Sequence, residues 1–242
     1  SKNSLILASS IGFLAVVLSG QRGTSICIPI MILISLLLFY KKLNFIKIIT
    51  FLLLSLSTIS FVIYLLPDLR ERYSQTIKSI AAVYESYFYE NSQHPVNITK
   101  ADYARYSMFE HGLKAFKKNP IIGNGRYGFV DAMINEGFPI DLSGYATHSH
   151  NQYISDLVMR GLFGFLVTVL FMFILMSIFI TLRRSGDNLF ASMGVLLVSS
   201  YLLFFMTDST FTGSMHGIRF FTFFFFLLFY LSLENVRKIK CD

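Results

Sequence analysis

The chain has no tryptophan and only two cysteines among its 242 residues. Cys27 lies inside an apolar run and Cys241 in the extreme basic tail, so their placement supports neither a disulfide nor a thiolate metal site. No HExxH occurs, and no Walker sequence, GxGxxG or acidic D-x-D, which argues against zinc hydrolysis and against ATP- or nucleotide-sugar-driven chemistry. Ser1 is not followed by a basic n-region and a cleavage site, so no signal peptide is expected. No internal repeat is visible. The one low-complexity stretch is the Phe-rich run near the C-terminus, which reads as lipid-facing bulk. Charged residues make up just 14% of the chain.

Apolar residues fill the space that these absences leave. The chain is 54% hydrophobic, with mean hydropathy +0.58, as in a polytopic membrane protein. Without tryptophan, an interfacial aromatic belt rests on its 13 tyrosines and 26 phenylalanines. Apolar runs fall at about 5–20, 24–40, 45–66, 162–182, 189–206 and 217–233, giving about six transmembrane helices. The first two are short and suggest a tight hairpin with snorkelling flanks.

The net charge of +7 raises the question of nucleic acid, and its distribution answers it. Lys41, Lys42 and Lys47 follow the second run, Arg183 and Arg184 the fourth, and Arg237, Lys238 and Lys240 the sixth. With six spans, these ends and Lys2 share one side, the cytoplasmic one by the positive-inside rule. The polar segment from Pro67 to His148 carries nine basic and nine acidic residues and belongs on the outer face. The expected organisation is therefore three spans in residues 1–66, an outer helical loop in 67–149, and three spans with a basic tail in 150–242. The charge reports topology, and no nucleic-acid partner is expected.

Within the loop, a helix over 102–118 shows an apolar stripe at 103, 106, 109, 113 and 116, with Arg105 at its edge. A second helix is expected over 69–89, and the residues between the two helices read as a loop. Pro120-Ile121-Ile122-Gly123-Asn124-Gly125 ends the first of these in a tight glycine turn.

The chemical candidates converge on the outer face. Thr147-His148-Ser149-His150-Asn151-Gln152 precedes the fourth span. Ser149 and Gln152 have capping-box spacing, which predicts Ser149 as N-cap and His150 as the first helical residue. At that position the helix dipole would keep the imidazole a neutral base. The alternative is an interfacial polar residue. His148 reads as a hydrogen-bonding neighbour, and His94, His111 and His216 stand alone. Arg22, between two spans in Ser19-Gly20-Gln21-Arg22-Gly23-Thr24, is either a snorkelling arginine or an anion-binding one. Arg105 and Arg126 admit the same two readings, with a solvated charge as the bland one. Asp208, at the outer end of the fifth span, either pairs with Arg219 or orients a histidine. Neither a metal nor a cofactor is expected.

His150-Asn151, nine residues, then Gly161-Leu162-Phe163-Gly164 resembles the H-N-x9-G-x-x-G signature of the O-antigen ligase and polymerase superfamily. Three further segments fit in order. They are the Arg22 hairpin, the Arg105 helix Ala104–Leu113, and the P-x-x-G-x-G turn at 120–125. Members of that superfamily have about twice as many spans, so the chain looks like a C-terminal half whose N-terminal half is a missing partner. The resemblance implies inverting glycosyl transfer at the periplasmic face of the bacterial inner membrane. The donor would be an undecaprenyl-pyrophosphate-linked glycan and the acceptor a lipid A–core sugar, both reached through membrane lipids. His150 would be the general base, Arg22 and Arg105 the pyrophosphate ligands, and Asn151, His148, Asp208, Arg126 and Arg219 supporting residues. A polymerase with a lipid-linked acceptor, a protein O-glycosyltransferase, half of a lipid-linked glycan transporter and a structural subunit are the alternatives.

Overall fold

A computed structural model describes residues 18, 22–39, 45–88, 99–145, 149–185, 188–209, 211 and 215–241. Its described residues are helical, with no strand among them. Among the described residues, apart from helical Leu18, eight α-helices occur in this order: α1 (Arg22–Phe39), α2 (Phe45–Leu65), α3 (Pro67–Phe88), α4 (Lys100–Lys118), α5 (Phe129–Ile134), α6 (Gln152–Arg184), α7 (Leu189–Phe204) and α8 (Met215–Cys241). A 3₁₀ turn at Ile140–Tyr145 lies between α5 and α6. Three helices hold stretches long and apolar enough to cross a membrane, at Ile48–Leu65, Gln152–Arg184 and Gly217–Arg237. Cys27–Leu38 and Leu189–Phe204 are shorter apolar helices, and the run at 5–20 lies outside the described residues except for Leu18.

The chain divides into two compact units between Tyr106 and Ser107, inside α4. In the first, α1 packs on α2 and α2 leads almost directly into α3. Only Leu66 separates α2 from α3, and its N–H and C=O continue the helical ladder to Val62 and Arg70 (3.2 and 3.0 Å). Pro67 sits at the first position of α3, where its missing N–H costs nothing. Arg22 is the first residue of α1 and not part of a turn.

In the second unit α6 packs on α7, and α7 on α8. Buried Asn188 caps α7 by accepting from Ala191 N–H (3.1 Å), and it donates to the Ser232 carbonyl of α8 (2.9 Å). The Phe-rich run is not uniform lipid-facing bulk. Phe221, Phe225 and Leu228 share the buried face of α8, with Phe225 edge-on to Phe179 of α6 at 5.3 Å, while Phe220, Phe223 and Phe226 are exposed. Helical period sorts a monotonous sequence into two faces.

The defining feature is a break in α6. Gly161 has φ 65° and ψ −166°, leaving a short polar arm from Gln152 and a long apolar arm from Leu162 to Arg184. At about 1.5 Å per residue the apolar arm alone matches a bilayer core of about 30 Å. A helix broken there loses the bonds from Leu162 and Phe163 N–H to the Val158 and Met159 carbonyls. The turn after α4 replaces them. Asn124 and Gly125 N–H donate to the Val158 and Met159 carbonyls (both 2.8 Å), while Leu162 and Phe163 N–H donate to the Pro120 and Ile121 carbonyls (2.7 and 3.1 Å). The Asn124 side chain adds a bond to Val158 O at 3.1 Å. Two internal bonds are thus exchanged for four external ones. Such close backbone approach leaves no room for side chains at Gly161 or Gly123.

This geometry sets a graded expectation. A Cβ at Gly161 would lie 2.3 Å from Ile121 O, so Gly161→Ala is expected to destabilise by about 3 kcal/mol or more. Gly125 also has positive φ but nothing within 4 Å, so Gly125→Ala costs only its backbone strain, about 1 kcal/mol. Thermal unfolding of both variants in detergent measures the difference.

Candidate functional site

The polar arm of α6 begins later than its capping-box spacing suggests. Asn151, not Ser149, is the N-cap, accepting from Ile154 N–H at 3.1 Å, and the helix starts at Gln152. His150 lies outside the helix in the left-handed region, φ 51°, uncommon for a residue with a side chain. His150 is therefore not the first helical residue that the capping-box spacing predicts. The later start follows from what the Ser149 hydroxyl already binds. The Ser149 hydroxyl is engaged with the Asn151 carbonyl, with Asn151 N–H (3.2 Å) and with the Ser155 hydroxyl (2.8 Å), so Asn151 is left to cap.

The loop after α7 is tied to this arm. Asn151 N–H donates to Ser209 Oγ (3.1 Å), and Asn151 Nδ2 donates to the Met206 carbonyl (3.2 Å). Ser155 and Ser209 hydroxyls meet at 3.0 Å, and Ser149, Ser155 and Ser209 are all buried. Gln152 N–H donates to the Phe205 carbonyl (2.8 Å), and its side-chain oxygen accepts from Phe211 N–H (2.8 Å). Tyr153 OH donates to the Leu202 carbonyl at 2.9 Å. Beneath them Tyr201, Phe205, Phe211 and Phe221 form an aromatic cluster that floors the loop.

That clamp brings Asp208 to His150. The Nδ1 of His150 stands 3.9 Å from Asp208 Oδ1, a charge-contact distance about 1 Å longer than a hydrogen bond. Asp208 Oδ1 also accepts from Ser209 N–H at 2.7 Å, which fixes the carboxylate. A carboxylate beside Nδ1 favours the tautomer that carries its proton there, which makes Nε2 the basic nitrogen. Both side chains are accessible to a substrate, Asp208 more so. This approach supports the reading in which Asp208 orients a histidine.

The other candidates fall elsewhere. Arg105 belongs to the first unit, exposed on α4, where it donates to Asp102 Oδ1 at 3.3 Å. Asp102 is itself paired with Thr99, whose hydroxyl accepts from Asp102 N–H (3.2 Å) at the start of that helix. Arg22 opens α1 in the same unit. Arg126 is exposed beyond the glycine turn and Arg219 is exposed on α8. His111 is locally satisfied, its Nδ1 2.8 Å from the Ser107 carbonyl and its ring edge-on to Phe138. His148 and His94 lie outside the described residues. Among the described residues no group of three His, Cys, Asp or Glu side chains is placed to hold a metal.

One pair escaped the sequence reading. Asp156, fully buried, accepts from Arg160 Nη1 (2.7 Å) and Gln152 Nε2 (3.0 Å) through the same oxygen. Arg160 lies across Gly164, where a Cβ would stand 2.1 Å from its own Cβ. The second glycine of G-x-x-G thus makes room for an arginine, as the first makes room for the turn. The signal was present, since an acid and a base four residues apart on a helix face each other.

What the fold and site define is a multi-pass helical membrane protein carrying a histidine–carboxylate pair at the water end of a broken spanning helix. A family model described as O-Antigen ligase matches residues 7–169. The chain belongs to the O-antigen ligase family. The match takes in the His150 segment, the glycine turn and the helix break, and it ends before Asp208. An uncharacterised protein of Haemophilus influenzae is 26% identical over 229 residues, covering 87% of this chain and 54% of the relative. The chain spans about half the length of the curated relative it matches.

The buried pair is expected to respond asymmetrically to mutation. Arg160→Ala strands a buried carboxylate and should cost about 3 kcal/mol. Asp156→Asn keeps an acceptor for Gln152 and frees Arg160 into water, so about 1 kcal/mol is expected. Chemical denaturation of the two variants in the same detergent tests the order, and equal losses would contradict it.

Proposed function

We propose that this chain carries the catalytic part of a metal-independent, inverting membrane glycosyltransferase of the O-antigen ligase type, working with an N-terminal half not present in this sequence. The observation that carries the reading is the His150–Asp208 approach at 3.9 Å, whose histidine lies within the family match and whose carboxylate lies beyond it. His150 Nε2 takes the proton from an acceptor hydroxyl of a lipid A–core sugar. As that proton leaves, the hydroxyl oxygen bonds the anomeric carbon of an O-antigen glycan. The bond from that carbon to undecaprenyl pyrophosphate breaks, and its electron pair departs with the pyrophosphate. Attack opposite the leaving group inverts the anomeric centre in one displacement. Asp208 orients the imidazole through Nδ1 and stabilises the imidazolium, the role a carboxylate plays in a triad.

Arg22 and Arg105 neutralise the departing pyrophosphate, for which a guanidinium fork suits better than an ammonium. The Arg105 side chain, exposed on α4, is open to an anion arriving from outside the helix. The active face is periplasmic and the basic ends of the spans are cytoplasmic, a reading that the charge distribution supports.

In the complete protein, His150→Ala should lower the turnover of lipid-linked glycan by about 10²–10⁴-fold while leaving insertion and folding intact. Arg22→Lys and Arg105→Lys should be impaired nearly as severely as the alanine variants. A purified transfer assay with labelled donor reads both results. Near-normal turnover in His150→Ala would remove it from the chemistry, and free substitution by lysine would reduce the arginines to topology signals.

A further inference from the structure

The turn that closes the helix break presents two isoleucines that the protein does not cover, Ile121 at 71% and Ile122 at 77% exposed. Single exposed apolar side chains are ordinary, but the height of these two is fixed. The Pro120 and Ile121 carbonyls accept from the N–H groups of Leu162 and Phe163, the first two residues of the apolar arm. Leu162 and Phe163 are exposed too, and the exposed apolar surface continues down the arm through Leu166, Val167 and Leu170. On an arm long enough to cross a bilayer, such a surface faces lipid. The isoleucines extend that surface sideways at the level where the arm enters the membrane.

Much of the turn's backbone is bonded within the protein, and the Ile121 and Ile122 amides, which have no backbone acceptor, can donate to headgroups or water at a bilayer boundary. Pro120 has no N–H, the Pro120 and Ile121 carbonyls are taken by the arm, and the amides of Gly123, Asn124 and Gly125 all donate. No charge interrupts the stretch from Pro120 to Gly125, and Arg126 and Tyr127, both exposed, follow at once. An arginine and a tyrosine are the side chains that favour the headgroup level.

We propose that the Ile121–Ile122 tip is a membrane wedge, seated in the acyl–headgroup boundary of the bilayer. It pins the loop domain, and with it the break in α6, at the lipid surface. The occupant of this apolar patch is phospholipid, because the patch is continuous with the lipid-facing side of α6. The inference holds whichever reaction the protein catalyses.

The absence of tryptophan makes the test direct. Ile122→Trp places the chain's sole indole at the tip, where exposure leaves room for it, and Ile121→Trp is the second variant. Each is reconstituted in phosphatidylcholine vesicles, with Leu166→Trp on the lipid-facing arm as the reference for quenching. The expected result is blue-shifted emission, with loss of intensity in vesicles of lipid brominated near the headgroup end of the acyl chains. Water-like emission without quenching in both tip variants would overturn the wedge. So would blue-shifted emission without quenching, which would mean that protein covers the tip.

Discussion

Four backbone hydrogen bonds between the Pro120–Gly125 turn and the break in α6 are the constraint on which the second unit depends. A spanning helix cannot simply stop hydrogen bonding at the membrane surface, because each freed carbonyl or amide would go unsatisfied. Here the turn supplies donors for two carbonyls above the break and acceptors for two amides below it. The break lets the polar arm leave the direction of the membrane helix without orphaned groups. That arm carries Asn151, whose own hydrogen bonds recruit the loop bearing Asp208. The chain of dependence runs from two glycines to one histidine–carboxylate pair.

This dependence gives physical content to the signature. In His150-Asn151-x9-Gly161-x-x-Gly164 the asparagine caps the polar arm and ties it to the 206–209 segment. The first glycine supplies a backbone angle that other residues strain to reach. The second gives Arg160 the space to reach buried Asp156. His150 is held in the left-handed region beside a carboxylate. A strained, half-exposed imidazole beside a carboxylate is costly to keep for structure alone.

Much of the fold was legible in the sequence. Apolar runs, a helix over 102–118 and the proline–glycine turn each follow from local periodicity or local backbone preference, and the all-helical architecture agrees with them. The stripe expected at 103, 106, 109, 113 and 116 is not the buried face of α4, which carries Ala104, Ser107, Met108 and Ala115 while Phe109 is exposed. Three things were not legible. The true start of α6 depends on the Ser149, Ser155 and Ser209 hydroxyls, which come from two distant segments, so a capping box read from spacing alone chose the wrong cap. The burial of Phe221 and Phe225 depends on what α6 and α7 present to them, which a run of phenylalanines does not reveal. The meeting of the glycine turn with Gly161 joins residues about forty positions apart, and no local rule reaches that far. The sequence named His150 and Asp208 as candidates; tertiary contacts made them neighbours.

The central claim is that Asp208 acts through His150 and not beside it. A double-mutant cycle tests this most directly, measuring kcat/KM for glycan transfer in the complete protein, in Asp208→Asn, in His150→Ala and in the double variant. If the carboxylate serves only to orient the imidazole, Asp208→Asn lowers kcat/KM in the parent and has almost no further effect once His150 is alanine. If the two losses multiply, Asp208 works independently of His150 and the proposed pair is wrong.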